Sequence, residues 1–275
     1  YVRNRKADKK LVHAAVEAAK KADVVLVFAG LDEISESEGL DRTHMHMPLA
    51  QNQLIDEITT VNSNVVVVLS AGSSIEIPWY SHVKGIVHGY LGGQAGASAM
   101  MHVLTGKVCP SGKLNETYPM SYKDTPAYNY YPSKERSSEY RESLYVGYRY
   151  YTTVGKKVRF PFGFGLSYTS FSYENLSVDK DGVSFILKNT GSVEGTEIAQ
   201  LYVGKESDTV FRPLRELKGF SRVTLAPGEE KEVRIPFDDK TFRFYDTRTD
   251  SWEIESGEYR IFIGKNAEEM QLEGT

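Results

Sequence analysis

Apolar residues recur at helical spacing from residue 8 onward. Leu11, Val12, Ala15, Val16, Ala19 and Ala22 fall on one face, with His13, Glu17, Lys20 and Lys21 between them. This period predicts an amphipathic helix over 8–22. A continuous apolar run at 24–29 follows and stops at Gly30. An uninterrupted run of that length suits a parallel strand buried on both faces. After a polar loop at 31–47 the pattern repeats. Pro48 opens a helical stretch with Leu49, Leu54, Ile55 and Ile58 inward, and the apolar run 65–69 closes at Ala71-Gly72. Gly85-Ile86-Val87 comes next, and Gly92-Gly93-Gln94-Ala95-Gly96 starts a helix through Leu104. Helices alternating with buried strands predict an α/β domain with a largely parallel sheet. Ligands of such sheets gather beyond the carboxyl ends of the strands, where the loops 30–47, 70–78 and 91–96 lie.

The pattern then changes twice. Residues 115–165 are rich in Tyr, Pro and Gly and show little periodicity, which reads as a long connector packed against the first domain. Its aromatic content argues against a flexible linker. From Phe171 the period becomes two. Strands are expected at 171–178, 183–188, 197–203, 215–223, 230–237, 242–246 with 251–254, and 257–263. Turn signals at Asp181-Gly182, Asn189-Thr190-Gly191 and Pro227-Gly228 separate them. About seven short strands predict a β-sandwich of immunoglobulin or fibronectin type III architecture. Alternation places Phe185, Leu187, Leu201, Val203, Val233, Ile235, Tyr259 and Ile261 in its core.

Composition narrows the function classes. The 275 residues are 40% apolar and 25% charged, as in ordinary globular proteins. No apolar run reaches the roughly 20 residues that a bilayer needs, so no membrane span is expected. The net charge of -4 does not suggest a nucleic-acid binder. Residues 1–165 hold 19 Lys/Arg and 16 Asp/Glu (+3), and 166–275 hold 14 and 21 (-7). This shift supports two domains, 1–165 and 166–275. The lone Cys109 excludes an internal disulfide and reads as a structural thiol. No apolar signal core follows the basic start at 1–6, so a cytoplasmic location is expected. Without an initiator Met, the chain is expected to be a processed piece or part of a longer protein.

The loop Asp32-Glu33-Ile34-Ser35-Glu36-Ser37-Glu38-Gly39-Leu40-Asp41-Arg42 is the richest in chemistry. Clustered carboxylates raise one another's pKa, the property a general acid needs. A solvated acidic loop is the competing reading. Asp41 and Arg42 read as structural ties that anchor the loop by charge-assisted hydrogen bonds. His44 and His46 fall short of the three or four ligands of a zinc site, so no metal is expected and they read as loop histidines. Gly92–Gly96 lacks both the GxGxxG spacing and the Walker lysine and reads as a tight turn with close helix packing. Gly72-Ser73-Ser74 is not a nucleophile elbow; Ser73 or Ser74 is expected to cap a helix.

An ordered series of motifs goes further. Ala22-Asp23-Val24-Val25-Leu26-Val27 leads to Glu38-Gly39-Leu40-Asp41-Arg42, and Gly93-Gln94-Ala95-Gly96 follows. Then come Pro110-Ser111-Gly112-Lys113-Leu114, Thr117-Tyr118-Pro119 and Tyr145-Val146-Gly147-Tyr148-Arg149-Tyr150-Tyr151. The block from Pro161-Phe162-Gly163-Phe164-Gly165 to Phe171 completes it. Over nearly its whole length the chain resembles glycoside hydrolase family 3, the family of β-glucosidases and β-xylosidases.

The resemblance implies a fold that is α/β plus all-β: a mostly parallel α/β sandwich, lacking its first segment, followed by a fibronectin type III-like β-sandwich. It implies a retaining β-glucosidase that removes terminal non-reducing β-D-glucosyl units from small glycosides or oligosaccharides without a cofactor. The Glu of the E-G-x-D-R motif is the acid/base in the β-glucosidase branch. Carried over, that is Glu38, with Glu36 as runner-up and Asp41 and Arg42 holding the loop. The family's nucleophile is an Asp on a TIM barrel, within a Ser-Asp-Trp-like motif that this chain lacks. Thr249-Asp250-Ser251-Trp252 reads as a hairpin turn with a packed Trp. The implied partner is therefore a TIM-barrel part, in the same or another chain. Two alternatives stand beside this reading: a non-catalytic carbohydrate-binding or assembly module, and β-xylosidase or arabinofuranosidase specificity.

Overall fold

The computed structural model describes residues 6–133, 135–207 and 210–275; most of the basic start, residues 1–5, lies outside them. The chain divides into two compact units. One comprises the residues up to Thr105 together with Tyr118–Ser138; the other comprises Gly106–Thr117 and Glu139–Thr275. The aromatic-rich connector is thus shared between them.

The first unit contains α1 (Lys9–Ala19), β1 (Val25–Gly30), α2 (Leu49–Thr59), β2 (Val65–Ser70), β3 (Gly85–His88), α3 (Gly96–Leu104) and the two-residue β4 (Tyr118–Pro119). Asp8 caps α1 by accepting from the Lys10 and Leu11 amides at 2.9 and 3.2 Å. At its other end Asn62 Nδ2 donates to the Ala19 and Ala22 carbonyls, replacing intrahelical bonds that end there. The sheet is parallel in the order β1-β2-β3. Central β2 buries Val65, Val67, Val68 and Leu69, as its valine run requires.

β1 departs from the expected two-sided burial. Its only hydrogen-bonded neighbour among the described residues is β2, and Leu26 and Phe28 are 41% and 67% exposed. An apolar groove of about 420 Å³ runs beside it, lined by residues including Ala15, Ala18, Ala22, Leu26, Phe28 and Leu54. Leu11 and Leu49 are likewise exposed rather than inward, because no described layer covers their side of α1 and α2. No helix among the described residues is long and apolar enough to cross a membrane.

The second unit opens with α4 (Tyr148–Val154) and β5 (Val158–Phe160). Nine further strands follow among its described residues: β6 (Phe171–Asp179), β7 (Gly182–Asn189), β8 (Gly195–Gly204), β9 (Glu216–Leu225), β10 (Glu230–Pro236), β11 (Phe244–Asp246), β12 (Ser251–Glu253), β13 (Arg260–Gly264) and β14 (Met270–Gly274). Two antiparallel sheets, β10-β7-β6 and β14-β13-β8-β9, enclose a common core. Phe185, Leu187, Leu201, Val203, Val233, Ile235 and Ile261 are buried there, with Tyr259 packed partly buried against them. Strand β14 is an addition that the periodicity did not disclose.

Asn189 stitches this sandwich together. Its side chain donates to the Val193 and Leu225 carbonyls at 2.8 and 2.9 Å and accepts from Gly191 N and Thr169 Oγ1. The Pro161–Gly165 segment is held by Gln200, which donates to the Gly163 and Lys265 carbonyls. Tyr148 of α4 stacks on Phe162 and meets Tyr202 edge-on. Asp250 lies in the β11–β12 hairpin, where its left-handed φ of 56° suits a turn. Trp252 is not packed as expected. It is 58% exposed, with its ring under the Arg243 guanidinium.

Candidate active site

The acidic loop leaves β1 at Gly30, whose amide donates to Gln51 Oε1 of α2 at 2.8 Å. Asp32 closes the first turn, accepting from the Ser35 amide and hydroxyl at 2.9 and 2.8 Å. Glu36 then reaches the turn after β2. The Gly72 amide donates to both of its carboxylate oxygens at 2.9 Å, and the Ser73 hydroxyl donates at 3.1 Å. A Cβ at residue 72 would stand only 3.2 Å from Glu36 Oε1, so glycine permits this approach.

Glu38 is exposed, and among the described residues its carboxylate has neither a hydrogen bond nor an ion pair. Gly39 turns the chain back with a φ of 81°, a conformation that only glycine adopts cheaply. Three residues later the Arg42 guanidinium donates to Ser73 Oγ at 2.7 Å and to the Ser74 carbonyl at 3.3 Å. Asp41 accepts a short hydrogen bond from the Tyr131 hydroxyl.

A further anchor follows. Met45 and Met47 are buried while His44 and His46 are exposed, the alternation of an extended segment. The Glu76 amide donates to the Met45 carbonyl at 2.8 Å, and the Glu76 carboxylate lies 3.1 Å from His46 Nδ1. Glu76 also accepts from the Tyr122 amide at 2.9 Å. Among the described residues no group of three His, Cys, Asp or Glu side chains could hold a metal ion.

His88 ends β3 with its Nε2 2.7 Å from the Tyr118 hydroxyl and its Nδ1 3.3 Å from the Leu69 carbonyl. Burial pushes its pKa below the usual value of 6.5, opposed in part by the Leu69 carbonyl and the negative charge of Glu36.

The structure thus brings Glu36 and Arg42 onto one serine and leaves Glu38 unbonded between them. Ser73 does not cap a helix: its hydroxyl bridges the two loop residues, because the chain after β2 runs on without a helix, anchored by buried Ala71, Ile75 and Ile77. Ser73, Glu76 and Tyr131 were not singled out from sequence as partners of the loop. The available signal was position alone, since Ser73 follows the strand beside β1 at its carboxyl end. Gly92 packs closely against Gly96, where a Cβ would fall 2.8 Å from the Gly96 Cα. In the other unit, Cys109 Sγ lies 3.1 Å from Ser167 Oγ.

Comparison with known proteins places these features in a family. Residues 2–168 match the glycosyl hydrolase family 3 C-terminal domain, and residues 197–267 match the fibronectin type III-like domain. The chain is 48% identical over 273 residues to thermostable β-glucosidase B of Acetivibrio thermocellus, covering 96% of this chain and 36% of that protein. It is 43% identical over 270 residues to an exo-α-(1→6)-L-arabinopyranosidase of Bifidobacterium breve, again covering 96% and 36%. The crystal structure of the Bifidobacterium adolescentis family 3 β-glucosidase superposes with a TM-score of 0.94 at 40% identity, covering 98% of this chain and 41% of that one. The chain therefore spans little more than a third of the length of these relatives. By the family match over most of its length, the chain belongs to glycoside hydrolase family 3.

Proposed function

We propose that this chain supplies the acid/base half of a retaining β-glucosidase, with Glu38 as the proton donor. The observation that carries this is the placement of Glu38: an exposed, unbonded carboxylate at the apex of a loop tied down on both sides, beyond the carboxyl end of β1. Such a group can protonate a leaving glycosidic oxygen and then take a proton from water. Retention requires a second, nucleophilic carboxylate about 5–5.5 Å away, which a TIM-barrel part beyond this chain provides. Asp41 and Arg42 hold the loop through Tyr131, Ser73 and Ser74. The substrates are small β-glucosides or oligosaccharides, and the chemistry uses no cofactor. The exposed apolar edge at Leu26 and Phe28 supports a missing covering segment.

Hydrolysis of an arabinosyl unit is a second reading, favoured by the 43% identity to the arabinopyranosidase. The test is an assay of the isolated chain and of the longer protein on aryl β-glucoside and aryl α-L-arabinopyranoside. The longer protein is expected to hydrolyse the glucoside and the isolated chain to be nearly inert. Robust turnover by the isolated chain, abolished by Glu38→Ala, would overturn the divided site.

A further inference from the structure

We infer that Glu36 is a positioning residue for Glu38, acting with Ser73 as a clamp at the base of the acid/base loop. This rests on the assignment of Glu38 made above. The Ser73 hydroxyl accepts from Arg42 Nη1 at 2.7 Å and donates to Glu36 Oε1 at 3.1 Å. One side chain therefore holds both legs of the 36–42 excursion. A hydroxyl has one donor and two acceptor positions, so both bonds form at once.

The platform beneath this clamp is rigid. Ala71 and Ile75 flank the turn and are fully buried, and the Gly72 amide is spent on Glu36 through both oxygens. Close packing lets such a turn move little. Glu36 is thereby separated in role from Glu38, although both are loop carboxylates two residues apart. Its oxygens point into the protein and are engaged, whereas those of Glu38 are exposed. Between the two tie points only Glu38 carries an unpartnered charge, and Gly39 sets the reversal that presents it.

Catalytic carboxylates must be held within fractions of an ångström, and a displacement of about 1 Å can cost on the order of 100-fold in rate. Loss of the Glu36 anchor should therefore impair proton donation more than sugar binding. A bulky substitution is not needed to reveal it; shortening the side chain suffices.

The experiment uses the longer protein and compares kcat/KM for two β-glucosides: an alkyl glycoside, whose leaving group needs protonation, and a 2,4-dinitrophenyl glycoside, whose leaving group does not. Glu36→Ala and Ser73→Ala are each expected to lower kcat/KM on the alkyl glycoside by about 10–100-fold and to spare the dinitrophenyl glycoside. Glu36→Gln, which still accepts from Gly72, should recover part of the loss. Equal losses on both substrates, or no loss on either, overturn the clamp. Glu38→Ala is run in parallel. If it shows the leaving-group dependence and the Glu36 variants do not, the clamp alone fails; if Glu38→Ala lacks that dependence, the acid/base assignment fails with it. Should Glu36→Ala not fold, Glu36→Gln and Ser73→Ala decide by the same criterion.

Discussion

The Arg42 guanidinium donates to the Ser73 hydroxyl at 2.7 Å, joining the acidic loop to the turn after β2 across 31 residues of chain. The same nitrogen, Nη1, also donates to the Ser74 carbonyl at 3.3 Å. A lysine also carries several donors on one nitrogen, but on a flexible stem without the planar guanidinium that presets their direction. In the longer protein, Arg42→Ala is expected to lower kcat/KM on an alkyl β-glucoside by on the order of 100-fold, with Arg42→Lys intermediate. Steady-state kinetics checks this, and a Lys variant equal to wild type would show that the planar guanidinium is not what holds the loop.

Asn189 is fully buried and has four hydrogen bonds from its side chain. Asn189→Ala leaves the buried Leu225 carbonyl without its side-chain donor and frees the more exposed Val193 carbonyl. Leaving a buried acceptor unsatisfied costs about 1–3 kcal/mol, so a loss in that range is expected in denaturant unfolding of the β-rich unit. A loss below about 1 kcal/mol would mean that the strand ends relax around the gap.

The His88 ring titrates in the folded protein below its usual 6.5 because it is buried. The folded state therefore favours the neutral ring. Its contribution to stability is complete above pH 6.5 and declines as the pH falls from there through the lowered folded value. Melting temperatures should drop on acidification through this window, and His88→Gln should flatten that dependence. An unchanged slope in the variant would assign the acid sensitivity elsewhere.

Leu26 and Phe28 leave an apolar strip on a strand with a free hydrogen-bonding side among the described residues. Such edges pair with other chains. The isolated chain is expected to associate or aggregate in light scattering, and Phe28→Lys to reduce this without loss of secondary structure. A monodisperse, cooperatively unfolding monomer would count against an uncovered edge.

Much of this organisation is legible in the sequence, for physical reasons. Backbone periodicity is local, so the runs at β1, β2 and α2 and the alternation in β7 and β10 disclose themselves. Burial is not local: the apolar run of β1 resembles that of β2, yet its neighbours differ. The Glu38-Gly39-Leu40-Asp41-Arg42 motif marks the loop, but the role of Glu36 depends on the Gly72 amide, 36 residues away. Ser73 likewise carries no sign in its own surroundings that two loop residues converge on it.

The most direct test of the central claim is the product formed by Glu38→Ala in the longer protein when azide is added to a 2,4-dinitrophenyl β-glucoside reaction. Removal of an acid/base costs about 10²–10⁴-fold. Azide needs no deprotonation, so it should attack the glycosyl-enzyme that water can no longer clear. The account predicts faster turnover with azide and release of β-glucosyl azide. Wild-type hydrolysis by Glu38→Ala, with no azide adduct, would contradict it.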